Sequence, residues 1–110
     1  MSVEAKIIRQ LDSRNFMEGL EHCREYVKSL KLWFGTSTLQ PGQTGNIDRG
    51  HAQSQEVFFV AQGRVLVFDE TRYYELYAGD ALLIPEGLPH TLTNIGDENT
   101  LVIWAGAPGE

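Results

Sequence analysis

The chain has 110 residues, a formal net charge of −6 and one cysteine, Cys23. That length fits one domain with one modest core, and a lone thiol excludes both an intramolecular disulfide and a Cys-rich zinc site. The acidic balance argues against a duplex-binding surface, which needs clustered Lys and Arg, whereas Arg24, Lys28 and Lys31 are scattered among apolar residues.

No apolar run approaches the ~20 residues of a membrane helix, and the first residues carry no signal-peptide core. The expectation is a soluble cytoplasmic protein whose partners include neither nucleic acid nor membrane.

Residues 3 to 10 admit a short strand or a helical turn, and Leu11 to Asn15 is polar and turn-like. Between 16 and 30, Phe16, Leu20, Cys23 and Val27 recur at helical spacing, yet the second half also fits an edge strand, which we retain there. Residues 32 to 39 are rich in aromatic and β-branched types and run into Pro41-Gly42, a strand entering a turn. A polar, irregular stretch follows, 43 to 55. Strands are then predicted over 56–61, 64–68, 73–77, 81–84, 91–94 and 100–104, with Gly63 marking a tight hairpin. The terminal AGAPGE reads as loose. Short strands with frequent turns predict an all-β antiparallel sandwich or barrel. The expected organisation is an extension over 1–30, a barrel over 31–105 and a loose tail over 106–110.

Chemistry concentrates in two stretches. In GDALLIPEGLPHTLTN, residues 79 to 94, Pro85 and Gly87 break a short apolar strand. His90 follows on stiff backbone, where a histidine can cap a turn, ligate a metal or move a proton. Upstream, Arg49 and His51 are two apart and face one side of extended chain. A bend before Glu56 could set its carboxylate beside His51. With His90 arriving from a later strand, two imidazoles and one carboxylate would converge, a donor set suited to iron, manganese, nickel or zinc.

These stretches resemble the motifs of the cupin superfamily, small antiparallel jelly-roll β-barrels (double-stranded β-helices). The second cupin motif is matched position by position by Gly79, Pro85, Gly87, His90 and Asn94. The first is matched by His51, Glu56 and the closing Gly63. Arg49 stands where the family's first histidine would be, and Gln43 occupies the place of the opening glycine, with Gly42 one position earlier. A guanidinium is not a metal ligand, so the resemblance implies a reduced site of His51, Glu56 and His90.

Arg49 is open to three readings: a clamp for an anionic ligand, a partner for Glu56, or a solvated loop charge. Phe58 and Val60 share the face of Glu56 and would line a pocket or simply pack the core, and Gln53 could reach its mouth. The resemblance implies a divalent transition metal and a small-molecule ligand, anionic if Arg49 faces inward. It leaves open a dioxygenase, isomerase or lyase, or a non-catalytic binding or sensor protein. Exposed sheet edges and faces predict a homodimer, to which residues 3–30 could add strands.

Overall fold

In the computed structural model, which describes residues 3–109, strands follow one another along most of the chain. They are β1 (Arg14–Glu18), β2 (Glu21–Lys28), β3 (Trp33–Thr38), β4 (Gln55–Gln62), β5 (Arg64–Phe68), β6 (Tyr73–Tyr77), β7 (Ala81–Ile84), β8 (Thr91–Asn94) and β9 (Leu101–Ala107). A 3₁₀ turn at Gln10–Asp12 precedes them, and there is no α-helix among the described residues. The larger sheet runs β1-β2-β3-β9-β4-β7 and the smaller β6-β5-β8, every pair antiparallel. This is the expected all-β jelly-roll architecture.

Side-chain alternation builds the core between the sheets. Along β4, Glu56, Phe58 and Val60 are buried while Val57 and Phe59 are exposed, the period-2 pattern of a strand with one face on the interior. Val65 and Val67 from β5, Leu92 from β8 and Val102 from β9 complete the centre. The segment before β4 is irregular but not detached. Bridges Thr44↔Thr93 and Asp48↔His90 lay it against β8 and extend the smaller sheet.

Residues 16 to 30 resolve as strands in both halves. Phe16 pairs with Cys23 across the β1–β2 hairpin, and β2 pairs with β3. Helical spacing gives way because Glu21 and Cys23, two apart, are the residues turned inward. The boundary expected after residue 30 falls in the β2–β3 turn, and the strands on both sides belong to one sheet.

The end of the chain corrects a sequence expectation. Gly106 pairs with Trp33 on one side and Glu56 on the other, so residues 106 and 107 are interior strand and not loose tail. The Gly109 amide also donates to the Leu30 carbonyl at 3.0 Å. The composition of AGAPGE suggests disorder, but its small residues answer a packing demand. A Cβ at Gly106 would run into the Trp33 indole, and one at Gly35 into the Trp104 indole. Two rings therefore lie flat over two strand glycines.

The motif glycines and asparagine hold corners. Gly79 (φ +96°) donates its amide to the Val60 carbonyl at 2.8 Å, where the chain turns back along β4. Asn94, 1% exposed, donates to the carbonyls of Leu39 (2.9 Å) and Glu98 (2.8 Å) and accepts from the Gly96 amide (2.9 Å). It ties three segments through one side chain. Asn94→Ala strands these buried groups and is expected to lower unfolding free energy by about 2–3 kcal/mol, measurable as a reduced urea midpoint at unchanged m-value.

Candidate metal centre

The geometry starts from the turn between β7 and β8. Gly87 adopts φ +72° and its amide donates to the His51 carbonyl at 2.8 Å. Gly50 (φ +85°) sits so close to this turn that a Cβ would lie 2.8 Å from the Leu88 carbonyl oxygen. Two glycines thus dock the irregular loop onto the turn. Beyond the turn, Asp48 and His90 exchange backbone hydrogen bonds, each 2.9 Å. Directly opposed residues of an antiparallel bridge point their side chains the same way, here into the barrel.

His90 is 2% exposed. Its Nδ1 lies 2.9 Å from the Leu88 carbonyl oxygen. A carbonyl only accepts, so Nδ1 carries the proton and Nε2 presents its lone pair inward, as it does in metal-ligating histidines. That Nε2 lies 3.4 Å from Glu56 Oε1 and 3.6 Å from Asp48 Oδ2. Glu56 is 5% exposed. Its Oε2 receives the Trp33 indole N–H at 3.4 Å. Its Oε1 and the His90 Nε2 have no hydrogen-bond partner among the described residues.

Buried polar atoms normally find partners. Two buried electron-rich atoms, Glu56 Oε1 and His90 Nε2, face one another with no donor between them, and the half-exposed Asp48 carboxylate stands beside them, an arrangement that suits a cation. Ligand atoms of Asp48, Glu56 and His90 all lie within 4.8 Å of one another. Donors about 2.1 Å from a shared ion sit roughly 3.0–3.4 Å apart at tetrahedral to octahedral angles, and His90 Nε2 stands at or just beyond that range from Glu56 (3.4 Å) and Asp48 (3.6 Å). Imidazole and two carboxylates thus fit a divalent transition metal. A proton is the alternative occupant: burial pulls the His90 pKa down, but Glu56, the Leu88 carbonyl and Asp48 together hold it above the usual 6.5.

The centre opens into a cavity of about 220 Å³. His51 lines it, with its ring against the Trp33 indole, centroids 4.3 Å apart, and it also borders a smaller cavity of about 130 Å³. Phe58 lines the main cavity edge-on to His90, centroids 5.2 Å apart. Val60 is fully buried core and does not reach the cavity. Arg49 and Gln53 are exposed and line neither cavity.

The structure therefore brings together Glu56 and His90 from the predicted trio and adds Asp48, while His51 stands on the cavity wall. Of the readings for Arg49, the outward one holds. Parity is the reason. The bridge to His90 turns residue 48 inward, so residue 49 faces out, and Gly50 in its left-handed conformation breaks the alternation before His51. Composition carries no sign of this register.

Glu21 is a second residue missed by sequence. It is 8% exposed, from β2, and lines the cavity. Burial pushes its carboxyl pKa above the usual 4.5, and Glu18 and Asp48 add to that against a hydrogen bond from Ser37. Cys23 beside it is buried, and burial with the nearby Glu21 and Glu18 raises its thiol pKa far above the ordinary value, leaving it unreactive.

The cupin-domain family model matches residues 35–106, most of the chain. The protein is a cupin. Among curated proteins this cupin is 25% identical over 105 residues to an uncharacterised protein of Methanocaldococcus jannaschii, covering 96% of this chain and 75% of that one. It is 36% identical over 81 residues to the germin-like protein subfamily 1 member 4 of Arabidopsis thaliana, covering 66% of this chain but only 34% of the relative. Among solved structures, KdgF from Halomonas sp. superposes with a TM-score of 0.79 at 18% identity, covering 97% of this chain and 96% of that one. At that identity the likeness concerns the fold.

Two outcomes test this geometry. Gly106→Ala drives a methyl into the Trp33 ring, which must move off Glu56. Indole fluorescence should shift and metal affinity fall by roughly tenfold, the worth of one hydrogen bond to a charged group. For Glu21, folding raises the pKa, so the folded chain holds the extra proton between pH 4.5 and the higher folded value, and stability falls as pH rises through that window. Glu21→Gln should flatten that slope and raise the thermal midpoint at neutral pH.

Proposed function

We propose that this cupin binds one divalent transition metal through Asp48, Glu56 and His90, and that it acts through the ion on a small oxygenated molecule held in the adjoining cavity. The observation that carries the reading is the pair of buried atoms without partners, His90 Nε2 and Glu56 Oε1. A bound ion would supply Lewis-acid polarisation of a ligand oxygen or activation of dioxygen. The chain's own residues contribute the rest: Leu88 fixes the His90 tautomer, Trp33 orients Glu56 and Phe58 walls the cavity. His51, the ligand suggested by motif resemblance, borders the same space. The expectation of an anionic ligand rested on Arg49, which lies outside the cavity.

A second reading is a binding module without turnover. It is favoured by the small donor set, one member of which, Asp48, has a side chain 47% exposed. Elemental analysis after loading with manganese, nickel, iron or zinc separates the two from an empty fold. Near-stoichiometric metal in the wild type and its loss in Glu56→Gln and His90→Ala support the site. A chain that retains no metal from any of the four sinks it. Because the metal displaces a proton from His90, affinity should weaken as pH falls below the raised folded value.

We also propose a homodimer. Phe34, Val57, Phe59 and Leu83 are 37–58% exposed on the outer face of the larger sheet. Val57 pairs with Leu83 and, on its other side, with Ala105, which pairs with Phe34, so the stripe is continuous. A second copy would cover it. Sedimentation should give a dimer at micromolar concentration and a monomer for Val57→Glu/Phe59→Glu. A monomeric wild type refutes the pairing.

A further inference from the structure

We infer that residues 3–9 form an arm that leaves its own barrel and adds a strand to the β7 edge of a second copy, where Val3, Ala5 and Ile7 extend the apolar stripe. The inference deepens the homodimer reading and rests on it in requiring a second copy. The segment Val3-Glu4-Ala5-Lys6-Ile7 alternates apolar with charged residues, the pattern of a strand with one face buried. Its own barrel leaves all five exposed. Val3 is 96% exposed, Ile7 69%, and Leu11 at the base of the arm 96%. Residues 3–9 belong to no strand or helix, and residues 3–8 make no hydrogen bond or ion pair among the described residues. The molecule measures 49 Å along its longest axis against 29 and 25 Å along the others, the shape of a barrel with an arm standing off it. A half-buried strand pattern with no face to meet is unsatisfied in a single copy.

Among the sheet edges, β7 is the unprotected one. Charges discourage pairing at an edge. β1 begins at Arg14 and ends at Glu18, and β6 carries Glu75, which pairs with Arg64. β7, Ala-Leu-Leu-Ile, has no charge and no proline. Its backbone is also open on one side. Val60 bonds to Gly79 and Asp80, and stepping along the ladder by two sets Leu82 and Ile84 against β4. The N–H and C=O groups of Ala81 and Leu83 therefore point to the free edge, where an added strand finds partners. Leu83, 58% exposed, is the last member of the stripe that runs through Phe34, Ala105 and Val57. A strand beside it places its own apolar face next in that line. The arm cannot do this within one chain. β1 and β7 are opposite edges of the six-stranded sheet, about 24 Å apart at ~4.8 Å per strand. The tether from Arg14 back to Ile7 includes the 3₁₀ turn and spans at most roughly 20 Å.

The test mixes full-length chains that each carry one new cysteine and reads disulfide-linked dimer on a non-reducing gel, with the buried Cys23 left in place. Ala5→Cys mixed with Leu83→Cys or Ala81→Cys, the outward positions of β7, should link. The yield should exceed by roughly tenfold that with Tyr73→Cys at the β6 edge or Met17→Cys at the β1 edge, because a disulfide needs Cα atoms within about 7 Å. Equal yields at the three edges, or no product at β7, overturn the inference. Val3→Asp/Ile7→Asp, at exposed positions, should raise the dimer dissociation constant in sedimentation by roughly tenfold or more and leave the circular dichroism spectrum unchanged. An unchanged dissociation constant overturns the inference as well. A wild-type dimer that gives no β7 product refutes the arm and leaves the homodimer reading standing. A dimer that survives Val57→Glu/Phe59→Glu yet is lost in Val3→Asp/Ile7→Asp refutes the stripe pairing and supports the arm. A wild-type monomer at micromolar concentration refutes both.

Discussion

One antiparallel bridge governs the site. Asp48 and His90 exchange both backbone hydrogen bonds, and the geometry of such a pair decides which side chains enter the barrel. Asp48 turns in, Arg49 turns out, and the imidazole of His90 meets a carboxylate from each sheet, Asp48 beside it and Glu56 across the core. A slip of one residue would exchange an acid for a guanidinium and abolish the donor set. The glycines at 50 and 87 protect that register, since each adopts a left-handed conformation that lets loop and turn sit in contact.

The second support is one glycine in the last strand, β9. Gly106 lies between Trp33 and Glu56 in the sheet. Where a Cβ is missing, the indole lies across the strand and reaches the carboxylate on the far side. The same ring leans on His51. Trp33 thus couples the packing of the larger sheet to the orientation of two groups in the cavity, and Gly106 of the last strand bears on where Glu56 points.

Electrostatics then separates two kinds of negative charge. Asp48 and Glu56 face an imidazole and can be balanced by an ion, while Glu21 sits in the same interior with its carboxyl pushed toward the neutral form by burial. Both groups arise from inward-facing strand or bridge positions, so their placement follows from parity as much as from residue type. The acidic net charge of the chain is therefore partly concentrated inside the barrel.

Much of this was legible in the residues. Alternating short strands and their turn glycines determined an antiparallel β-fold, and the fixed spacing from Gly79 through Pro85, Gly87 and His90 to Asn94 pointed to a cupin. Glu56 and His90 were readable as a meeting pair because each lies on a regular strand or at its start. Asp48, the outward turn of Arg49, the strand character of Gly106 and the burial of Glu21 were decided by tertiary structure alone. Each depends on register between segments far apart in sequence, and local composition is blind to which of two neighbouring residues a distant strand will turn inward.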